Sequence, residues 1–462
     1  MEPRVPRFTD PGLAGVVEKI ARSCAVAGGR AFLVGGSVRD AQLGRAALEA
    51  DLEVYGIDPE ALEKLAAGIG KVHLVGRQFA VLHVATPHGL VEMSLPRRES
   101  KTGPGHKGFA VNADPNLPLR EAARRRDFTV NAMLQDPLTG ELLDPWDGLA
   151  DLHAGVLRHV SPAFAEDPLR AMRAARFVSR FGWSIHADTA ALCRKLDLSE
   201  LPMERMEGEW RQILVRGDHP GAGLNALETV GALRWFPEIE AMRGTPQDPI
   251  WHPEGDVFHH TALALDAAVA VRPDMADPWI EMLGLLCHDL GKPAHTCLER
   301  GRWRSPNHDV GGVAPTLAFL QRITRQESVH EAVTALVREH LRPMQLYQAR
   351  EQVKDGAIRR LALRVDLEAL LRVAYADAAG RYGNAAFADW PPVAWLRGRA
   401  AQLGVDKGRP EPFLRGRDLI ELGVAPGPGM GEIIDEAFDL QIEGQIVDRD
   451  AALGWLRERV AR

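Results

Sequence analysis

Two groups of residues in this chain have the types and spacing for phosphate chemistry. In the first, Gly35-Gly36-Ser37-Val38-Arg39-Asp40 is followed by Glu49-Ala50-Asp51-Leu52-Glu53. A glycine pair between a strand pattern and a helix pattern can turn backbone N–H groups toward a triphosphate, with Arg39 close behind, although such a pair also serves as ordinary turn chemistry. Residues 49, 51 and 53 of an extended segment share one face, so three carboxylates line up. Their repulsion calls for a cation, and oxygen donors beside phosphate suit Mg2+; an exposed strand edge with solvated acids is the competing interpretation. Glu92, in a second strand-like segment, is a candidate third carboxylate beside Glu49 and Asp51, and the spacing from Asp40 favours Glu49 and Asp51 over Asp51 and Glu53.

The second group is downstream. His260 opens an amphipathic stretch, His288-Asp289 ends the apolar run 282–287, and His308, His340 and Asp377 follow. Single histidines in such places are most often structural, but this set has the donor types of a divalent transition-metal site.

The elements that must position the first group alternate. Helical periodicity over residues 13–27 precedes an apolar run at 31–34, and further short strands are expected at 51–55, 72–75, 79–86 and 90–95, giving a small mixed sheet with helices. Residues 96–116 hold several Gly and Pro with Arg97, Arg98, Lys101, His106 and Lys107, and read as a basic mobile loop. From residue 151 onward helical periodicity dominates, so the fold class is an α/β head followed by all-α segments. On that helical part, Asp167 and Arg170 stand three apart. An acceptor beside a planar donor fork on one helix face could match the edge of cytosine or adenine, or form a simple ion pair. Arg173, Arg176 and Arg180 continue the helix as a basic stripe suited to phosphate.

At 462 residues, several domains in series are expected. The 45% hydrophobic and 26% charged composition is that of a folded globular chain. Four cysteines without CxxC pairing suit a reducing compartment, no apolar run is long enough to cross a membrane, and the N-terminus lacks a secretory pattern, so a cytoplasmic location is expected. A net charge of −7 requires any nucleic-acid surface to be local.

The first group resembles the opening motif of class II CCA-adding enzymes and bacterial poly(A) polymerases, in the polymerase-β nucleotidyltransferase superfamily. Arg125-Arg126-Asp127-Phe128-Thr129-Val130-Asn131-Ala132 resembles the second motif, which implies that Arg126, Asp127 and Asn131 serve ribose and phosphates. Residues 144–152 (DPWDGLADL) are similar to the third motif, a hinge; Glu166-Asp167-Pro168-Leu169-Arg170 to the fourth; and Glu204-Arg205-Met206-Glu207-Gly208-Glu209 to the fifth. The histidines are similar to the HD phosphohydrolase superfamily, which implies His260, His288, Asp289 and Asp377 as metal ligands, Asp289 bridging two ions, with His308, His340 and Lys292 in support and Lys292 meeting phosphate. The resemblance implies a nucleotidyltransferase head (1–152), a helical neck binding nucleobase and RNA (153–240), an HD domain (241–385) and a helical tail (386–462). It implies CTP, ATP and tRNA as partners, with the chain a monomer or homodimer. The cofactors implied are Mg2+ in the head and Ni2+, Mn2+ or Zn2+ in the HD domain. The expected reaction is attack of a tRNA 3′-hydroxyl on the α-phosphorus, with phosphatase and 2′,3′-cyclic phosphodiesterase activity downstream. Glu49 departs from the family's Asp-x-Asp. A poly(A) polymerase, an A-adding specialist, and an RNA-binding module attached to an HD hydrolase stay open as alternatives.

Overall fold

Ala31, Phe32, Leu33 and Val34 are all buried, and this apolar run forms the strand around which the head is built. The computed structural model describes residues 4–74, 81–101, 109–383, 386–406 and 408–461. Helix α1 (Pro11–Val26), capped by Asp10, leads into β1 (Arg30–Val34), helix α2 (Gly36–Gln42), β2 (Ala50–Tyr55) and α3 (Pro59–Ala67). Strands β3 (Lys71–Leu74), β4 (Val81–Thr86), β5 (Gly89–Ser94), β6 (Arg97–Lys101), β7 (Phe109–Ala113), β8 (Leu134–Gln135) and β9 (Leu142–Leu143) follow. The main sheet has the order β3-β4-β5-β2-β1-β8-β9, parallel only between β2 and β5. That parallel pair places Asp51 beside Glu92, and the antiparallel β4 places His83 on the other side of Glu92.

The segment expected to be a loop at 96–116 instead pairs β6 with β7 as an antiparallel hairpin, Arg97 opposite Ala113 through Lys101 opposite Phe109. Phe109 and Val111 are strand formers whose signal was masked by the Gly and Pro between the strands. His106 and Lys107 lie outside the described residues.

The chain packs as two units, Met1–Ile213 with Ala222–Trp235, and Leu214–Gly221 with Phe236–Arg462. The expected head and most of the expected neck share the first. Its helix Leu169–Phe181 sends Phe177 against the buried Phe128, with ring centroids 5.4 Å apart, and a short parallel pair, Val156–Leu157 with Ser184–Ile185, interrupts the helices.

The second unit holds the expected HD and tail segments. Helices Val257–Ala268, Pro278–Cys287, Glu327–Glu339 and Leu367–Tyr382 enclose a core that includes Leu283, Leu286, Val333, Leu336 and Leu370. Gly380 lets two of them approach closely, since a Cβ there would lie 2.8 Å from the backbone nitrogen of Ala264. The unit is not purely helical: Cys297–Glu299 and Arg302–Arg304 form a hairpin. Among the described residues, no helix is long and apolar enough to cross a membrane.

One buried ion pair pins this core. Arg372 donates to both oxygens of Glu281, at 2.7 and 2.8 Å, with both side chains shielded from solvent. Glu281→Ala leaves the guanidinium with Glu368, 3.6 Å from Nη1, and without its bidentate partner, and the expected loss is up to about 3–5 kcal/mol in urea unfolding, whereas replacing both partners by apolar residues should recover most of it. A loss below about 1 kcal/mol for the single variant would show that the arginine finds other partners or water.

Candidate active sites

Gly35 closes β1 at φ 68° and ψ −130°, a left-handed conformation that favours glycine. A Cβ at this position would lie 3.8 Å from Asp51 Oδ2 and 3.7 Å from Arg126 Nη1, so the turn, the acid and the arginine converge. The half-buried Asp51 carboxyl is pushed up to about 6, first by burial and then by Glu92 and Glu49, with Arg126 and His83 opposing. A strained acid between two further acids is the donor set that a hard divalent cation relieves. Glu92 Oε2 is 3.1 Å from His83 Nε2. Glu49 is exposed and just precedes β2.

The expected row of three carboxylates is corrected at Glu53. It is fully buried, accepts from Tyr55 Oη at 2.8 Å, and faces Arg125 at 3.3 Å and Arg126 at 3.5 Å. Those partners lower its pKa against the effect of burial, so Glu53 is neutralised by protein and Asp51 is left to the site.

The arginines were also expected to meet ligand, and most meet acids. Arg39 is buried, donating to Asp40 at 2.8 and 2.7 Å and to Asn131 Oδ1 at 2.7 Å. Asp127 accepts from Phe128 N–H, Asn131 Nδ2 and the Arg173 guanidinium, which hold its carboxyl well below the usual range despite burial. Arg176 lies 3.4 Å from Glu209, and Arg180 donates to Asp40 at 2.9 Å. The stripe therefore fastens the helix Leu169–Phe181 to α2 and the second motif. Asp167 is not on that helix at all: it is extended, before Pro168. It pairs with Arg205 at 2.8 Å, while Arg170 donates to the carbonyls of Ala163 and Arg125. Glu166, half-buried, ends the turn Pro162–Glu166.

In the second unit, His260 projects from Val257–Ala268, His288 and Asp289 follow Pro278–Cys287, His308 opens His308–Gly311, His340 follows Glu327–Glu339, and Asp377 lies on Leu367–Tyr382. The Nδ1 atoms of His288, His308 and His340 face the carbonyl oxygens of Leu285, Ser305 and Val337 at 2.6, 2.7 and 2.7 Å. A carbonyl only accepts, so each Nδ1 carries the proton and each neutral Nε2 offers a lone pair. Two of these lone pairs point at Asp289, His288 Nε2 3.2 Å from Oδ2 and His308 Nε2 3.2 Å from Oδ1. Among the described residues, none of the three Nε2 atoms, nor either Asp289 oxygen, has a partner in hydrogen-bond geometry, although Lys292 Nζ lies 2.7 Å from Oδ2. Burial drives the His340 imidazole down to about 3, which keeps it neutral.

Buried lone pairs facing buried carboxylate oxygens fit cations. Two overlapping donor sets meet at Asp289, one with His260 and His288 and one with His308 and His340. His308 and His340 thus stand around Asp289 together with His288, where the resemblance had placed them in support. Behind them, His260 is held between Glu254, 2.7 Å from Nδ1, and Asp377, 3.0 Å from Nε2, while Arg381 pairs with Asp377.

Residues 31–158 match the Poly A polymerase head domain model. The chain is 39% identical over 375 residues to the multifunctional CCA protein of Xylella fastidiosa, spanning 77% of this chain and 85% of that protein. With the multifunctional CCA protein of Xanthomonas campestris it shares 37% identity over 425 residues, 88% of this chain and 96% of the relative. This chain belongs to the CCA-adding nucleotidyltransferase family. Its fold is similar to that of the Bacillus stearothermophilus CCA-adding enzyme in complex with CTP, at TM-score 0.66 and 24% identity over 97% of both chains. It also resembles the Thermotoga maritima CCA-adding enzyme complexed with tRNA, at TM-score 0.60 and 16% identity over 98% of this chain and 96% of that one.

For a CCA-adding family member, several site neighbours escaped sequence reasoning. His83 showed only as one polar residue in an alternating strand, and its contact with Glu92 depends on sheet register. Arg205 and Glu209, in the fifth motif, had no visible partners until the fold brought them to Asp167 and Arg176. Glu254 stands six residues before His260, a spacing with no helical meaning across the turn that separates them.

Proposed function

We propose that this chain adds CCA to the 3′ end of tRNA from CTP and ATP in its first unit, and hydrolyses phosphate esters at damaged 3′ ends in its second. The convergence of Gly35, Asp51, Glu92 and Arg126 carries the first activity. Glu49, Asp51 and Glu92 would hold Mg2+, which when bound lowers the pKa of the attacking 3′-hydroxyl and neutralises charge on the departing pyrophosphate. Arg126, half-buried beside Gly35, supplies fixed positive charge where the triphosphate meets the turn. Arg39, Asp127 and Asn131 act behind it by fixing the backbone that presents those groups. Nucleobase selection rests on the partly open Asp167–Arg205 pair next to Arg170, an acceptor beside a donor fork.

In the second unit, His260, His288, Asp289, His308, His340 and Asp377 would hold divalent transition metal, Ni2+, Mn2+ or Zn2+, which when bound activates water and polarises a phosphoryl oxygen. Lys292, 2.7 Å from Asp289 Oδ2, would meet the phosphate.

Incubating the protein with tRNA lacking its last three nucleotides, labelled CTP, ATP and Mg2+ tests the first activity. Incorporation of C, C and A followed by arrest is expected. Long A tails would make the chain a poly(A) polymerase, and absence of incorporation would reduce the head to an RNA-binding module.

A further inference from the structure

Asp51, Glu92 and His83 form one row across three strands of the head. They are successive register partners, Asp51 on β2 opposite Glu92 on β5, and Glu92 opposite His83 on β4. Residues directly opposite in neighbouring strands project from the same face, so an imidazole stands in line with two of the acids assigned to the cation. His83 Nε2 lies 3.1 Å from Glu92 Oε2. A carboxylate accepts, so Nε2 carries the proton and donates.

The sheet holds the two ends of this contact unequally. Leu82 and Val84 flank His83, Val91 and Met93 flank Glu92, and all four are buried on the opposite face, which fixes the backbone at both positions. The imidazole has two χ angles, whereas Glu92 has three and a side chain 42% exposed, so without an anchor its carboxylate samples the solvent side. A half-exposed pair of this kind adds little to stability, and its effect is on orientation. Orientation counts here because Glu49 is exposed and precedes β2, which leaves Asp51 and Glu92 as the acids that sheet pairing holds in place. Glu92 is also among the charges that push the Asp51 carboxyl up, so the two lie close enough to share a cation.

We propose that His83 is a positioning residue for nucleotidyl transfer: by donating to one oxygen of Glu92 it keeps that carboxylate in the row beside Asp51, where the two acids share a divalent cation. The inference rests on the nucleotidyl-transfer reading of the first unit. Hydrogen-bond partners of metal-holding side chains set their aim, and removing one typically costs about tenfold or more in metal affinity.

The test titrates the full chain with Mn2+ and reads the free ion by electron paramagnetic resonance. Mn2+ that the wild type binds and Asp51→Ala does not is the share of the first unit; sites in the second unit are common to all variants. His83→Ala is expected to weaken that share about tenfold, and His83→Gln, whose amide can donate to the same oxygen, to restore most of it. Melting in chelator should be the same for all three proteins. The Mg2+ needed for half-maximal CCA incorporation should rise in His83→Ala, with KM for CTP at saturating Mg2+ unchanged. Equal or tighter Mn2+ binding by His83→Ala, or a glutamine variant as weak as the alanine one, overturns the positioning role, as does a fall in melting temperature that accounts for the loss. Unchanged Mn2+ binding in Asp51→Ala overturns the cation site and the role of His83 with it; loss in Asp51→Ala without loss in His83→Ala overturns the role of His83 and leaves the site standing.

Discussion

Asp51→Ala should lower CCA incorporation by at least about 10³-fold while leaving hydrolysis of adenosine 2′,3′-cyclic phosphate unchanged. Asp51 is the acid closest to the Gly35 turn, and it is the one whose carboxyl the fold pushes up to about 6. A group made less comfortable as an anion in the folded protein does not stabilise the fold at neutral pH. The alanine variant should therefore melt at or above the wild-type temperature in chelator, and loss of activity cannot be charged to unfolding. Glu53→Ala provides the contrast. Glu53 is held below its ordinary range by Arg125 and Arg126, so its removal takes a buried counter-charge from two half-buried guanidiniums and should destabilise the head. If Asp51→Ala retains incorporation, the metal-holding acids are elsewhere. If both variants lose activity only through a lower melting temperature, the row at 49–53 is structural throughout.

The order of elements in the head and the family motifs could be read along the chain because each depends on local pattern. Gly35-Gly36 marks a turn wherever it occurs between a strand and a helix, and the Asp51 face follows from the two-residue period. Partner choice could not be read, because it is long-range. Nothing local distinguishes Glu53 from Asp51; the difference arises because Arg125 and Arg126 arrive from more than seventy residues away and cover only one of them. The basic stripe failed for the same reason: Arg173, Arg176 and Arg180 share a helix face, but Asp127, Glu209 and Asp40 fold onto it. In the second unit the histidine set was legible as a cluster, whereas the place of His308 and His340 beside Asp289 was not. That depended on which ring nitrogen each backbone carbonyl captures, a property of three-dimensional packing.

Asp289→Ala should produce the opposite pattern from Asp51→Ala: full CCA incorporation, phosphohydrolase activity reduced at least about 10³-fold, and bound metal falling from roughly two ions per chain to one or none. Among the described residues, this carboxylate is the acid common to the two donor sets, with one oxygen toward His288 and the other toward His308. Removing it leaves each set with imidazoles alone and no shared bridge, whereas removing His340 takes a donor from one set only and should leave the other able to bind. The metal content of the two variants is therefore the discriminating measurement, independent of turnover. Equal metal loss in both would mean that a single ion is held by the whole cluster. Unchanged content in Asp289→Ala would mean that the buried lone pairs of His288, His308 and His340 are satisfied without the aspartate, and the bridging role would fall. Because Asp289 lies in the second unit and Asp51 in the first, each variant is the other's control, and paired loss in either protein would signal misfolding instead of chemistry.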